Sequence, residues 1–270
     1  MDFRGASAEA VAALTERLRT AVSASTADAA ACADSLFSVS QTLRREPALR
    51  RFATDGSVPT EAKAGLVRQV FGGRIDDISL EVLGDAVSRR WTHSSDLADG
   101  LERLSEVAAV LSAGDRSASL SDELFELRRL VDHNPALRDA LSDPARSTAD
   151  KAGLIDDLLA SRTSPAVVTL AKQALAGSYG TVSAALSAYR TLAGEVRGEL
   201  VATVHVAAPL SEQQAGRLVE ALRRQYGRPV HTNVVVDRGL LGGVRVEIGD
   251  NVIDGTVVSR LDDAERRLAG

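Results

Sequence analysis

The residues of this chain that could coordinate a metal are few and scattered. It has four histidines and one cysteine in 270 residues. Structural and catalytic zinc sites need three or four protein ligands, and no two of these histidines have the spacing of helical ligands. We therefore predict surface histidines and no metal site, although two of them would be neighbours if the strands that carry them pair. The histidines are His93, His133, His205 and His231, the last two on predicted strands.

The single cysteine, Cys32, lies on the apolar stripe of a predicted helix. No histidine is close to it in sequence to activate its thiol, so a small apolar core residue is a better interpretation than a nucleophile. With one cysteine no intrachain disulfide can form, which suits a reducing cytoplasm.

Adjacent acidic and adjacent basic residues could serve acid–base catalysis or bind nucleic acid. The acidic pairs fall at predicted helix starts or on exposed faces, where solvation and the helix dipole are sufficient to explain them. The arginine pairs are better interpreted as solvated faces or partner contacts. We therefore predict no catalytic residue and no cofactor. The acidic pairs are Asp76-Asp77, Asp156-Asp157 and Asp262-Asp263, and the arginine pairs are Arg44-Arg45, Arg128-Arg129, Arg223-Arg224 and Arg266-Arg267.

A glycine-rich stretch near the C-terminus could suggest a nucleotide site. A phosphate-binding loop needs a lysine after its glycines, and a dinucleotide fingerprint opens a helix. Here no lysine is near, and Gly242-Gly243 precede an alternating strand, so we interpret the stretch as tight turns at both ends of a β-strand. The residues that define it are Leu240, Gly242, Gly243, Gly249, Asp250, Asp254 and Gly255.

Composition indicates a folded chain without a general affinity for polyanions. The net charge is -5, the pI is about 5.5, and aromatic residues make up only 3%. The overall charge therefore does not favour nonspecific binding to nucleic acid or to anionic membranes. Aromatic side chains on which the bases of single-stranded nucleic acid could stack are scarce. No apolar run approaches the roughly 20 residues of a membrane helix, and the N-terminus lacks the apolar core of a signal peptide. We expect no direct membrane insertion.

Apolar residues recur at helical spacing from Ser7 to about Gly198, and the pattern repeats itself. Three separated blocks return 88 residues later in one ungapped register. This predicts a duplicated helical unit, with Ser7 and Ser95 as equivalent helix caps and Ser95 to Ala113 as a helix shared by both copies. The blocks are Asp34-Ser35-Leu36-Phe37 with Asp122-Glu123-Leu124-Phe125, Pro47-Ala48-Leu49-Arg50 with Pro135-Ala136-Leu137-Arg138, and Lys63-Ala64-Gly65-Leu66 with Lys151-Ala152-Gly153-Leu154.

From Glu199 the apolar period changes from helical to alternating, which indicates strands. The predicted order is β-α-β-β-α: strands Leu200–Val206, Val230–Val236 and Val244–Ile248, one helix beginning at Ser211, and a terminal helix from Thr256 to Leu268. The predicted fold is therefore mainly α, with two duplicated helical bundles and a small C-terminal α/β domain. We place the domains at residues 1–116, 117–198 and 199–270.

The C-terminal stretch resembles the delta subunit of bacterial F-type ATP synthases, the counterpart of the mitochondrial oligomycin-sensitivity-conferring protein. The resemblance depends on Val234 to Asp237, on Leu240 to Val244, on Val246 to Gly255, and on the Arg260-Leu261 helix. Each helical copy resembles the family's helical domain. Arg238 and Thr256 replace the family's usual proline and serine with residues of similar turn and cap chemistry. The extra helical copy is similar to the longer form of the subunit found in some bacteria. It leaves open which copy performs the binding role of the family's helical domain.

The resemblance implies a non-catalytic connector in the peripheral stalk. In the family, the helical domain binds the N-terminal helices of alpha subunits on the catalytic head, and the C-terminal domain holds the end of the b subunit. These would be the partners, at the cytoplasmic face of the membrane, with no nucleic acid. The alternative from another class is an RNA-binding or regulatory helical protein, since helical bundles also occur in transcription complexes.

Overall fold

The computed structural model describes residues 3–159, 162–248 and 251–256. It confirms a mainly α-helical chain with a small C-terminal α/β unit. The chain divides into two compact units, Met1–Leu192 and Ala193–Gly270. The finer division into two separate bundles and a third domain stays a prediction.

Helices make up the first unit, and their apolar stripes form its core. The helical spacing of apolar residues predicted buried stripes, and Leu14 and Leu18 of the first helix and Leu36 of the second are fully buried. The helices are α1 (Ala6–Val22), α2 (Thr26–Arg45), α3 (Pro47–Thr54), α4 (Thr60–Phe71), α5 (Asp77–Ser88), α6 (Ser94–Leu111), α7 (Ser117–His133), α8 (Pro135–Ser142), α9 (Thr148–Leu159), α10 (Pro165–Ala176) and α11 (Val182–Arg197), the last crossing the boundary between the units.

The starts of these helices repeat with the offset found in the sequence. α1, α3, α4, α5 and α6 each begin 88 residues before α6, α8, α9, α10 and α11 respectively. The counterpart of α2 starts with a short 3-10 turn, Gly114–Arg116, and continues as α7. α6 packs against α1, α2, α3 and α5 of the first copy and against α7 and α10 of the second. It is the shared helix that the sequence predicted.

The predicted caps of the two equivalent helices are wrong. α6 begins at Ser94 with His93 as its N-cap, whose backbone N–H bonds Asp96 in a capping box, and Ser95 is not the cap. Ser7 lies inside the first turn of α1 and is buried. Its hydroxyl donates to Asp96 Oδ2 at 2.6 Å and accepts from the Thr92 N–H at 2.8 Å. Ser7 therefore ties the start of α1 to the start of α6.

Two short helices, α3 and α8, were not predicted from the sequence. The residue before a proline disfavours helical angles, and α2 ends before Pro47, at Arg45. Each proline is also the first residue of a new eight-residue helix. Proline is favoured there because its missing N–H has no intrahelical partner at that position.

The described part of the second unit contains a four-stranded sheet with helix α12 packed on it. Its elements are β1 (Leu200–Val206), α12 (Glu212–Tyr226), β2 (Val230–Val236), β3 (Val244–Ile248) and β4 (Asn251–Asp254). The strand order is β2-β1-β3-β4, with β1 and β2 parallel and the other pairs antiparallel. α12 begins with a capping box at Ser211 and ends at Gly227, whose φ is +66°. Val204, Leu222 and Val246 lie in the core between helix and sheet.

β4 corrects the expected three-stranded sheet. Its four residues pair with β3 in the register Val246↔Ile253, so a stretch interpreted mainly as turns also adds a strand. The predicted terminal helix, from residue 257 onward, lies outside the described residues.

Candidate partner-binding surfaces

An apolar groove lies between α7 and α9 in the second helical copy, with a volume of about 450 Å³. Leu127, Leu158 and Leu159 line it, and Leu127 and Leu159 are buried. Leu130, one turn further along α7, lines the same groove and leaves 43% of its surface exposed. A leucine that extends a buried apolar lining into solvent is typical of a docking surface rather than of a scattered surface residue.

The rim of the groove is acidic on the α7 side. It carries three carboxylates, Asp122, Glu123 and Glu126, against one guanidinium, Arg162. Glu123 is held in place, since it accepts from the Ser164 N–H at 2.7 Å. Glu126 is more exposed and lies 3.2 Å from Arg129. The arrangement can bind an apolar surface and favours cationic groups beside it.

Exposed apolar side chains also mark the C-terminal unit. Val234 and Val236 point to one face of β2, which is an edge of the described sheet, and are 38% and 45% exposed. Leu241, in the connection to β3, is 81% exposed. This β2 edge is a second candidate contact surface.

The signature residues near the C-terminus make turns and a close backbone contact. Gly243 has φ +87°, and a Cβ on it would lie 2.4 Å from the Gly255 carbonyl oxygen. The Gly255 N–H donates to Val244 O at 2.9 Å, and the Thr256 N–H donates to Asp254 Oδ1 at 2.9 Å. That backbone hydrogen bond lowers the pKa of the exposed Asp254 carboxyl.

The turn before β3 is confirmed. The N–H of Leu240 donates to the Asp237 carbonyl oxygen at 3.2 Å, and Gly242 also has a positive φ. The turn predicted at Gly249 and Asp250 lies outside the described residues. The described signature residues form turns and close backbone contacts, and their role as a family signature stays a prediction.

A buried polar network surrounds α6, and sequence reasoning missed it. Glu102 is fully buried and pairs with Arg44 of α2, which also lies 2.7 Å from Asp99. The Ser178 N–H, after α10, donates to Glu102 at 2.8 Å. The interpretation of Arg44 as a solvated residue or partner contact is therefore wrong. It is held internally because the buried carboxylate needs a cation.

Glu106, one turn along α6, is also fully buried. Arg103 and the Tyr179 hydroxyl each donate to its Oε2 at 3.3 Å. Burial raises the pKa of Glu106 to about 7, and the nearby Glu102 acts in the same direction, whereas Arg103 and Tyr179 oppose the shift. The 88-residue offset aligns Glu102 and Glu106 with Leu14 and Leu18 of α1, a signal that could have revealed the buried carboxylates.

The cysteine and the acidic pairs singled out from the sequence lie in the core, at helix ends or in surface ion pairs. Cys32 is fully buried, as predicted, and burial raises the pKa of its thiol to about 12. Asp76 caps α5 by accepting from the Ser79 N–H at 2.8 Å, which confirms an acidic pair at a helix start. Asp156 is exposed and pairs with Lys172 at 2.7 Å. The pairs at 262–263 and 266–267 lie outside the described residues.

The two strand histidines share a sheet face but do not meet. β1 and β2 do pair, with His231 opposite Val201 and His205 opposite Val235, so the histidines are four residues apart along the strands. His205 instead lies 3.7 Å from Glu247. Within the described ranges, no group of three or more potential ligand side chains could hold a metal ion. No helix among the described residues is long and apolar enough to cross a membrane.

The helical repeat with its groove and the small α/β unit are typical of a structural protein that offers candidate binding surfaces. Residues 104–268 match the family model described as ATP synthase delta (OSCP) subunit. The chain belongs to this family, which is that of a structural and not a catalytic subunit. The resemblance inferred from the C-terminal signature is confirmed.

Relatives that align over the whole chain share its long form. An ATP synthase subunit delta from a Nocardioides species is 53% identical over 269 residues, covering 99% of this chain and 98% of the relative. Those from Kineococcus radiotolerans and Streptomyces coelicolor are 42% and 39% identical over 270 residues. The former alignment covers 98% of each chain, and the latter covers 99% of this chain and 98% of its relative.

Proposed function

We propose that this chain is a peripheral-stalk subunit of a bacterial F-type ATP synthase. It links the N-terminal helices of alpha subunits on the catalytic head to the C-terminal region of the membrane-anchored b subunit. Held in this way, the head resists the torque of the rotor during ATP synthesis. The chain acts at the cytoplasmic face of the membrane and associates with it through the complex.

The observation that carries the proposal is the extent of the family match. Residues 104–268 begin inside the shared helix α6 and continue through the second copy into the C-terminal unit. One continuous match therefore includes both parts that the connector function requires, a helical bundle and an α/β domain. The relatives named ATP synthase subunit delta align with the first copy as well.

The candidate surfaces support the assignment of a different partner to each of the two units. Helical bundles bind amphipathic helices by accepting their apolar faces in a groove, and the second copy has such a groove. The C-terminal unit has exposed valines along β2, where the end of another subunit could pack. We assign the alpha-subunit helices to the helical unit and the b-subunit end to the C-terminal unit.

The test is calorimetry of the full chain with two synthetic peptides, the N-terminal segment of the alpha subunit and the C-terminal segment of the b subunit encoded with it. We expect both to bind, and simultaneously. In membranes from cells that lack this chain, adding the purified protein should restore ATP synthesis driven by a proton gradient. Binding of neither peptide would contradict the proposal.

A further inference from the structure

We propose that the groove between α7 and α9 binds one amphipathic helix whose apolar stripe is flanked by lysine or arginine, and that the equivalent face of the first copy does not. The inference goes beyond the proposed function, because it is argued from the groove's shape and charge whichever protein supplies the helix. It identifies both the copy that binds and the chemistry of the bound segment.

The dimensions of the groove suit a short stretch of helix. Its α7 wall extends from Asp122 to Leu130, which spans about 12 Å at 1.5 Å per residue. A bound helix could therefore place two or three apolar side chains, spaced three or four residues apart, over Leu127, Leu130 and Leu158. Burying Leu130, now 43% exposed, is the main apolar gain.

The acidic rim favours basic residues on the side of the bound helix that faces it. Asp122 and Glu126 are four residues apart on α7 and so lie on one side of that helix. A partner helix in the groove would run beside this pair of carboxylates, and cations on its near flank would face opposite charge. Acidic residues on that flank would be repelled. Electrostatic complementarity of this kind favours specificity more than raw affinity.

The first copy provides an internal comparison. The offset of 88 residues places Thr42 at the position of Leu130 and Ser38 at that of Glu126. On this face of α2, a polar side chain thus replaces the exposed leucine, and an uncharged one replaces the exposed carboxylate. Asp34 keeps the carboxylate of Asp122, so the surfaces of the two copies differ at the exposed leucine and at the second carboxylate. The second copy therefore carries the docking surface.

The experiment uses the full chain and two designed peptides of about 18 residues, long enough to be helical when stapled. Both have a leucine stripe. One has lysines at i and i+4 on one flank, and the other has glutamates at the same positions. Calorimetry should give one lysine peptide bound per chain and at least about tenfold weaker binding of the glutamate peptide.

Variants then locate the site. Leu130→Glu should lower the affinity for the lysine peptide at least about tenfold. Leu130→Ala should lower it less, as expected for loss of a central apolar contact. Glu126→Lys should shift the preference toward the glutamate peptide. The matched controls in the first copy, Thr42→Glu and Ser38→Lys, should leave both affinities unchanged. Circular dichroism checks that each variant is folded.

Several results would overturn the proposal: no binding of the lysine peptide, two peptides per chain, equal affinity for the two peptides, or unchanged binding by a folded Leu130→Glu chain. Loss of binding in the first-copy controls would also contradict it. The designed peptides are unrelated to any ATP synthase subunit. Failure here therefore leaves the alpha-subunit assignment standing, and failure of the alpha-subunit peptide to bind leaves the groove proposal standing.

Discussion

Gly243 is the signature residue whose identity the backbone requires most strictly. Its φ of +87° disfavours residues that have a side chain. A Cβ at this position would also clash with backbone atoms of Gly255 and Thr256. The sequence showed the need for a tight turn at Gly242-Gly243. It could not show the approach of Gly255, because that contact arises only when β4 pairs with β3. The same limit applies to Glu106, whose burial depends on helices distant in sequence.

We expect Gly243→Ala to destabilise the C-terminal unit by roughly 1–3 kcal/mol, since it combines a strained backbone with a clash against backbone atoms. Gly216 in α12 is the matched control, because a Cβ there meets nothing within 4 Å. Gly216→Ala should be neutral or stabilising by up to about 1 kcal/mol. Hydrogen exchange of the β1–β4 amides measures the stability change in each variant. Equal protection in the two variants would contradict the expectation.

Glu106 should make the helical unit less stable as pH rises. Its pKa in the folded chain is about 7, against an ordinary value of 4.5. Between these values the folded state keeps a proton that the unfolded state has lost, so the free energy of unfolding falls as pH rises through that window. Glu106→Gln should remove this fall and, at pH 8, stabilise the unit by roughly 1–3 kcal/mol.

Urea unfolding of both chains at pH values from about 4.5 to 8 tests this expectation. The exposed Glu9 on α1 provides the control substitution, Glu9→Gln, which should leave the profile unchanged. Parallel stability profiles for wild type and Glu106→Gln would show that Glu106 is not the group responsible.

At the scale of elements, α6 joins the two helical copies. Its apolar spacing predicted the helix, and the 88-residue offset predicted that both copies share it. The polar bonds that fix its position were not predicted, because Arg44 of α2 and Ser178 after α10 meet Glu102 only in three dimensions. Short elements were missed for a related reason. Eight-residue helices and a four-residue strand contain too few turns or alternations to establish a period.

Arg44→Leu should destabilise the helical unit by about 2–4 kcal/mol, because it leaves Glu102 buried without its cation. Glu102→Leu restores the residue type found at the equivalent position in α1, Leu14. Combined with Arg44→Leu, it should recover most of the lost stability, since both charges are then removed. Thermal unfolding of the single and double variants gives the coupling energy. Additive losses would argue against a coupled pair.

The groove shows why a binding surface is harder to predict than a fold. Leu130 occupies the helical stripe of α7 like any core leucine, and the acidic residues beside it resemble a solvated face. These residues form a surface only because α9 packs near α7 and brings Leu158 and Leu159 to the same groove as Leu130. The internal repeat could have drawn attention to the site, because copies with the same core differ at Thr42 and Leu130.

At the scale of the molecule, the shared helix implies that the two helical copies behave as one folded unit. α6 is buried by helices from both sides, so separating the copies would expose its apolar residues along most of its length. A specific protease site inserted after Arg116, in the exposed turn between α6 and α7, tests this directly. After cleavage, we expect the two fragments to elute together in gel filtration and to unfold in a single transition. They should separate only in denaturant. Fragments that elute apart under native conditions would mean that each copy folds alone and that α6 belongs to the first.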